Sequence, residues 1–217
     1  MIDFNKVSKR YANGYEALKN ISLSVNKGEM VFITGHSGAG KSTMLKLIAG
    51  VERASHGSVN VNGQNVGTLR ESALAVLRRN IGLVFQDHKL LFDRNVFENI
   101  ALPLYIGDYT PAEVGKRVRA ALDKVGLLGR EKNNPVTLSS GEQQRLCIAR
   151  AIVNRPSILI ADEPTGNLDA EYAAQIVDLF KSFNQVGVTT IIATHDAAMI
   201  EKLKPRTVHL DHGMQTP

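Results

Sequence analysis

Gly35-His36-Ser37-Gly38-Ala39-Gly40-Lys41-Ser42 fits the pattern G-x-x-x-x-G-K-[ST] at every fixed position. The residues on either side supply the context that such a motif needs. Met30-Val31-Phe32-Ile33 is a continuous apolar run, as in a strand buried on both faces. Thr43-Met44-Leu45-Lys46-Leu47-Ile48-Ala49 reads as a helix. Strand, glycine-rich turn and helix together make a phosphate cradle. Glycines let the backbone curl so that successive N–H groups converge on an anion, and the helix adds the positive end of its dipole. Lys41 supplies a point charge for the outer phosphates of a nucleotide. Ser42 offers a hydroxyl oxygen to Mg²⁺, a hard cation that prefers oxygen ligands. Residues 35 to 43, through Thr43, are therefore the expected nucleotide-phosphate-binding positions.

Working outward, Ile21, Leu23 and Val25 alternate with Ser22 and Ser24, the period of a half-buried strand, and Asn26-Lys27-Gly28 reads as a turn. Val59 and Val61 alternate with polar residues ahead of a second turn, Asn62-Gly63. The middle of the chain is helical. Thr110-Pro111-Ala112-Glu113 is a capping box with proline at the first helical position. Val114, Val118, Ala121, Leu122 and Val125 then form one apolar stripe that Gly126 ends. A second helix is expected from near Gly141, with Leu146, Ala149, Ile152 and Val153 on one face and Pro156 beyond its end. The last third alternates strand (158–161), helix (172–183), strand (189–193) and short helix (197–203), which implies a parallel sheet wrapped by helices.

The strand Ser157-Ile158-Leu159-Ile160-Ala161 runs into two carboxylates, Asp162 and Glu163. Open parallel sheets collect ligands at the carboxyl ends of their strands. Asp162 is thus expected to hold Mg²⁺, and Glu163, one residue further, to polarise the attacking water.

Composition bounds the class. The chain has 217 residues, of which 43% are hydrophobic, enough for a real core in one domain. The single cysteine, Cys147, cannot form an internal disulfide, which fits a reducing compartment. The opening decapeptide has no long apolar run and reads as no secretory signal. Other apolar runs are too short to cross a bilayer, so a membrane role would come through a partner. A net charge of +5 is spread along the chain without a Lys/Arg block, which suits a polyanionic ligand, an anionic membrane face or plain solubility.

Leu138-Ser139-Ser140-Gly141-Glu142-Gln143-Gln144-Arg145 resembles the signature of ABC-type ATPases, usually LSGGQ. With the loop and the acidic pair, the resemblance covers almost the whole chain. It implies an α/β fold, the P-loop NTPase ABC nucleotide-binding domain, with a RecA-like parallel sheet core, an antiparallel β subdomain and a helical subdomain. One domain over 1–217 is expected, with 1–87 and 156–217 forming the core and β subdomain and 88–155 the helical subdomain. The resemblance implies further roles: Tyr11 stacking on adenine (with Tyr15 a rival), Gln86 reaching the metal or water, Asn167-Leu168-Asp169 as the D-loop with Asp169 near the nucleotide, and His195 as the switch histidine. Gln86, Lys41, Glu163 and His195 are the implied catalytic set, and Ser42, Gln86 and Asp162 the implied metal ligands. Ser139 and Gly141 would close on ATP held by a second copy, giving an ATP-dependent head-to-tail homodimer. Two positions depart from the pattern. Ser140 replaces a glycine, so a left-handed backbone there would be strained, and Glu142 stands where glutamine is common.

Four finer stretches resemble the cell-division branch of the family: Gly35 to Gly40, Phe85-Gln86-Asp87-His88-Lys89-Leu90-Leu91-Phe92-Asp93-Arg94, residues 121–128, and residues 162–169. His36 and Asp87-His88 set the chain apart from lipoprotein-release and macrolide-export ATPases. The resemblance implies the membrane partner FtsX, a place on the cytoplasmic side of the bacterial inner membrane at the division site, and regulation of peptidoglycan hydrolysis during septation. Leu90, Leu91 and Phe92 are its candidate docking contacts. An exporter ATPase is the rival reading, because it shares every catalytic motif. A nucleotide-gated tether is a third reading, against which intact Glu163 and His195 weigh. No nucleic-acid partner is expected, since the chain carries neither a long coiled coil nor a second cassette.

Overall fold

The computed structural model describes residues 1–166 and 168–216. In chain order the elements are β1 (Ile2–Arg10), β2 (Glu16–Val25), β3 (Met30–Thr34), α1 (Lys41–Ile48), β4 (His56–Val61), β5 (Gln64–Asn65), α2 (Glu71–Arg79) and β6 (Ile81–Val84). There follow α3 (Val96–Tyr105), α4 (Pro111–Lys124), α5 (Ser140–Ile152), β7 (Ile158–Asp162), α6 (Ala170–Gln185), β8 (Thr189–Ala193), α7 (Ala197–Leu203), β9 (Arg206–Asp211) and β10 (Met214–Thr216).

Two sheets form. One is antiparallel, in the order β2-β1-β4-β5, and the other runs β10-β9-β3-β8-β7-β6. Within the second sheet, β9, β3, β8, β7 and β6 are mutually parallel, and only β10 turns back along β9. The apolar runs of the central strands follow from burial on both faces. Successive side chains of a strand point to opposite faces. Phe32, Leu159, Ala161 and Ile192 enter a core shared with α3, α4, α5 and α6. Their strand neighbours Val31, Ile33, Ile158, Ile160 and Ile191 enter a second core with α1, α2 and the antiparallel sheet. Neither face of the parallel sheet meets water, so no polar alternation survives in β3 or β7.

The helices begin where their caps dictate. At α4, Thr110 Oγ1 accepts the Glu113 N–H, while Glu113 reaches back to the Thr110 N–H, at 2.8 Å. The stripe Val114, Val118, Ala121, Leu122 is buried. α5 starts at Ser140, one residue ahead of Gly141, because Ser139 and Glu142 form another capping box. Glu142 therefore has a local reason for being acidic. Its carboxylate accepts the Ser139 N–H, the main cause holding its carboxyl below the usual carboxylate range. Ser140 takes an ordinary helical φ as the first residue of α5, so the anticipated left-handed strain does not arise.

Candidate nucleotide site

A cavity of about 480 Å³ opens at the carboxyl ends of β3, β7 and β8. Residues 35–43 form one side of it, and Tyr15, Gln86, Asp162, Glu163 and His195 form the rest.

The loop is held open by sterics. A Cβ on Gly35 would lie 2.2 Å from the Leu210 carbonyl oxygen, and one on Gly40 would lie 2.5 Å from that of Ala17. Both residues have positive φ, 143° and 108°. No side chain fits at either point, so both positions require glycine. Gly40 also caps α1 without a side-chain bond, which leaves the first amides of that helix for a ligand. Lys41 is only 8% exposed. Its ammonium donates to the carbonyls of Gly35 (2.8 Å) and His36 (3.2 Å), so its aim is set before any phosphate arrives.

Asp162 ends β7 beside the loop. Burial pushes its carboxyl above the ordinary value, while a hydrogen bond from Ser42 opposes the rise and the nearby Glu163 charge adds to it. Glu163 follows with a φ of 47°, a conformation that costs a non-glycine residue of order 1–3 kcal/mol and is characteristic of functional sites. Its N–H donates to the Ala193 carbonyl at 2.8 Å, tying it to β8. Its carboxylate faces the cavity and accepts the His195 Nδ1–H at 2.8 Å. Sequence reasoning missed a bracing pair behind these residues. The Thr165 hydroxyl donates to Asp196 Oδ2 at 2.8 Å, and Asp196 caps α7 through the Met199 N–H. Both residues flank recognised ones, and an Asp three residues before Met199 is itself a cap signal.

Other expected site residues lie elsewhere. Tyr11 does not line the cavity: its hydroxyl pairs with Thr43 Oγ1 at 3.2 Å, and the Lys9 ammonium covers its ring at 4.9 Å. The rival Tyr15 does line it, with its hydroxyl donating to the Gly38 carbonyl at 2.7 Å and half its surface exposed. Ser139, Gly141 and Asp169 are also outside this cavity. Ser139 is exposed at the N-terminus of α5, Gly141 is buried beneath Tyr172, and Asp169 caps α6 through the Tyr172 N–H at 3.0 Å. Asn167 of the expected D-loop falls outside the described residues.

Beyond Gln86 the chain is pinned to the helices. Arg150 donates to the carbonyls of Lys89 (2.7 Å) and His88 (2.6 Å), both residues with positive φ. The fully buried Asn99 side chain accepts the Leu91 N–H and donates to the carbonyls of Leu91, Arg94 and Asn95. Leu90 is packed in the helical core and so is no docking contact, whereas Leu91 and Phe92 are exposed. Cys147 lies under the same loop, and burial pushes its thiol up to about 12, which leaves it unreactive.

Comparison with known proteins agrees with this geometry. The ABC transporter family profile matches residues 18–166. The cell division ATP-binding protein FtsE of Escherichia coli K12 is 51% identical over 98% of this chain and 96% of its own length. Its counterpart from Bacillus subtilis is 41% identical over 99% and 94%. Among solved structures, the dimeric post-hydrolysis ATP-binding cassette MJ0796 bound to ADP and Pi superposes with a TM-score of 0.92 at 35% identity, covering 100% of this chain and 97% of that one. Matches of that extent, across the whole cradle and both sheets, make this chain a member of the ABC transporter family and one of its ATP-binding, ATP-hydrolysing cassettes.

Proposed function

We propose that the chain is the ATPase of a membrane-bound cell-division complex, working as a homodimer beneath FtsX on the cytoplasmic face of the bacterial inner membrane. The observation that carries this reading is the identity to FtsE proteins over nearly the full length of both chains. Two solved cassettes named as transporter components, MJ0796 and cbiO1 from Clostridium perfringens, stand at 36% and 29% identity.

In this reading Lys41 and the amides of the loop bind the β- and γ-phosphates, and Tyr11, which meets Thr43 at the rim of the cavity, or its rival Tyr15, stacks on the adenine. Glu163 accepts the proton of the attacking water, and His195 holds that carboxylate in position. Ser42, Asp162 and Gln86 offer oxygen donors that suit Mg²⁺, and the raised carboxyl of Asp162 marks a partly buried oxygen set that a cation would satisfy. When bound, Mg²⁺ would neutralise charge on the phosphates.

Ser139 and the amides of Ser140 and Gly141, which precede the first α5 hydrogen bond from the Gln143 N–H to the Ser139 carbonyl, are a second anion-binding terminus on the exposed surface. A second copy would present them across the ATP. Loss of the γ-phosphate would weaken that closure and let the pair open, a ligand-driven population shift. Residues 88–155 would then move as the helical subdomain that carries the signature and conveys the motion to FtsX, with regulation of septal peptidoglycan hydrolysis as the outcome.

The test is affinity capture of the Glu163→Gln variant from bacterial membranes with ATP, beside Glu163→Gln/Leu91→Asp. FtsX should be recovered with the first and lost with the second, while ATP binding is unchanged. Recovery of an exporter permease in place of FtsX overturns the cell-division assignment.

A further inference from the structure

The phosphate loop carries a histidine, His36, that also touches the far edge of the parallel sheet. His36 meets the turn that joins β9 to β10, where Asp211 ends the strand and His212 begins the turn. His36 Nε2 is 3.3 Å from Asp211 Oδ1, and His212 Nε2 is 3.8 Å from the same oxygen. One ligand atom from each of the three lies within 4.8 Å of the others. Ligands on a tetrahedral cation with bonds of about 2.0–2.1 Å sit ~3.3 Å apart, so the His36–Asp211 pair has the spacing, while the other two pairs, at 3.8 Å and within 4.8 Å, would close on binding.

His36 Nδ1 is 2.6 Å from the Ser37 carbonyl, which can only accept, so Nδ1 carries a proton. Nε2 is then the nitrogen left for a cation, and it lies 3.3 Å from Asp211 Oδ1 and 3.5 Å from the His212 backbone nitrogen. This is the arrangement that metal-ligating histidines adopt, with the distal N–H held by a carbonyl. The turn that presents His212 is equally fixed. His212 and Gly213 have φ of 46° and 79°, as in a two-residue type I′ turn. The Gly213 N–H donates to the Ala39 carbonyl at 3.1 Å, and its carbonyl accepts the Lys19 N–H at 2.7 Å. Turn and phosphate loop are thus one hydrogen-bonded unit, and the two imidazoles rest 4.6 Å apart by centroid.

We propose that His36, Asp211 and His212 form a site for a divalent transition cation of the zinc, nickel and copper class, completed by water, which clamps the phosphate loop to the β9–β10 turn. Two imidazoles and one carboxylate favour those ions over Mg²⁺ or Ca²⁺, which take oxygen. The site is separate from the oxygen donors at Ser42 and Asp162. The alternative is a bare His36–Asp211 ion pair, in which His212 is only a turn residue.

The experiment uses the full chain without a histidine tag and without nucleotide, in excess Mg²⁺. Co²⁺ is titrated by its visible absorption and Ni²⁺ by calorimetry. One equivalent per chain should bind with a nitrogen-and-oxygen spectrum, and His212→Asn and Asp211→Asn should each weaken binding at least tenfold. Asparagine tolerates the left-handed backbone at 212, so His212→Asn should keep the circular dichroism and the metal-free ATPase rate of the parent. Absence of saturable binding, or equal affinity in parent and His212→Asn, overturns the proposal in favour of the ion pair.

Discussion

The His195 Nδ1–H donates to Glu163 Oε1 at 2.8 Å, and the Lys41 ammonium stands 3.8 Å from the same oxygen. One carboxylate oxygen therefore answers both to the loop lysine and to the histidine at the end of β8. Glu163 itself is only about a tenth exposed, whereas His195 is open to solvent. A carboxylate buried beside a cation and held by an exposed imidazole suits the role of base proposed for it. Glutamine keeps the shape of Glu163 but cannot take a proton. Glu163→Gln is expected to bind ATP as the parent does and to release phosphate 10²- to 10⁴-fold more slowly. Parent-like turnover would remove Glu163 from the chemistry.

Asp162 makes a pH-dependent prediction. Burial keeps its folded carboxyl protonated to a higher pH than the ordinary 3.8. Between 3.8 and the folded value the folded state binds more protons than the unfolded one, so stability declines as pH rises through that window. The penalty is fully present above it and absent below 3.8. Asp162→Asn should therefore raise the melting temperature of the nucleotide-free protein at neutral pH, by an amount that shrinks as the solution is acidified. The added stabilisation by ATP with Mg²⁺ should shrink too. A variant that melts below the parent at pH 7 without ligand contradicts the assignment of burial as the cause.

The parts of this molecule that sequence reading reached are those whose cause is local. The glycines of the loop, the capping box at Thr110 and Glu113 and the alternation in β2 each follow from residues a few positions apart. The central strands read as apolar runs because both faces are covered. What escaped depends on distant partners. Tyr11 and Tyr15 are equivalent by type, and only the pairing of β1 with β2 decides which reaches Gly38. The three apolar residues after Gln86 look alike until α3 buries Leu90 alone. The positive φ of Glu163 has no signature in composition. Some local signals were present but weak: Asn95 and Glu98 form a capping box that starts α3, and Val208 and Leu210 alternate in β9 over too short a stretch to decide.

Gly141 gives a case where one position has two explanations. A Cβ there would lie 2.9 Å from Cγ of Tyr172 and 3.3 Å from its Cβ, the root of that side chain, which cannot swing aside. Overpacking of this kind costs about 1–3 kcal/mol, against a helix preference for alanine of roughly 1 kcal/mol. Gly141→Ala should lower stability in the parent. In a Tyr172→Ala background the clash is gone, and the same change should become neutral or stabilising. Equal effects in both backgrounds, read by urea denaturation, would show that Tyr172 is not what demands the glycine.

Asn99 is the strongest link between the nucleotide side and the helices. Its side chain is fully buried, yet it makes one accepted and three donated hydrogen bonds, all to backbone of residues 91 to 95. The Leu91 N–H depends on it, whereas the Leu91 carbonyl also accepts the Arg94 N–H at 3.3 Å. Leucine has a similar volume and would strand the Leu91 N–H, a loss of about 1–3 kcal/mol. Asn99→Leu should therefore destabilise the fold by roughly 1–3 kcal/mol. It should also free residues 88–94 to exchange amide hydrogens faster than the rest of the chain. Because Gln86 and the loop glycines lie outside this network, ATP affinity per folded molecule should hold. Retained parent stability, or exchange spread evenly over α3, α4 and α5 instead of concentrated at 88–94, would rule out Asn99 as the pin that fixes the loop after Gln86.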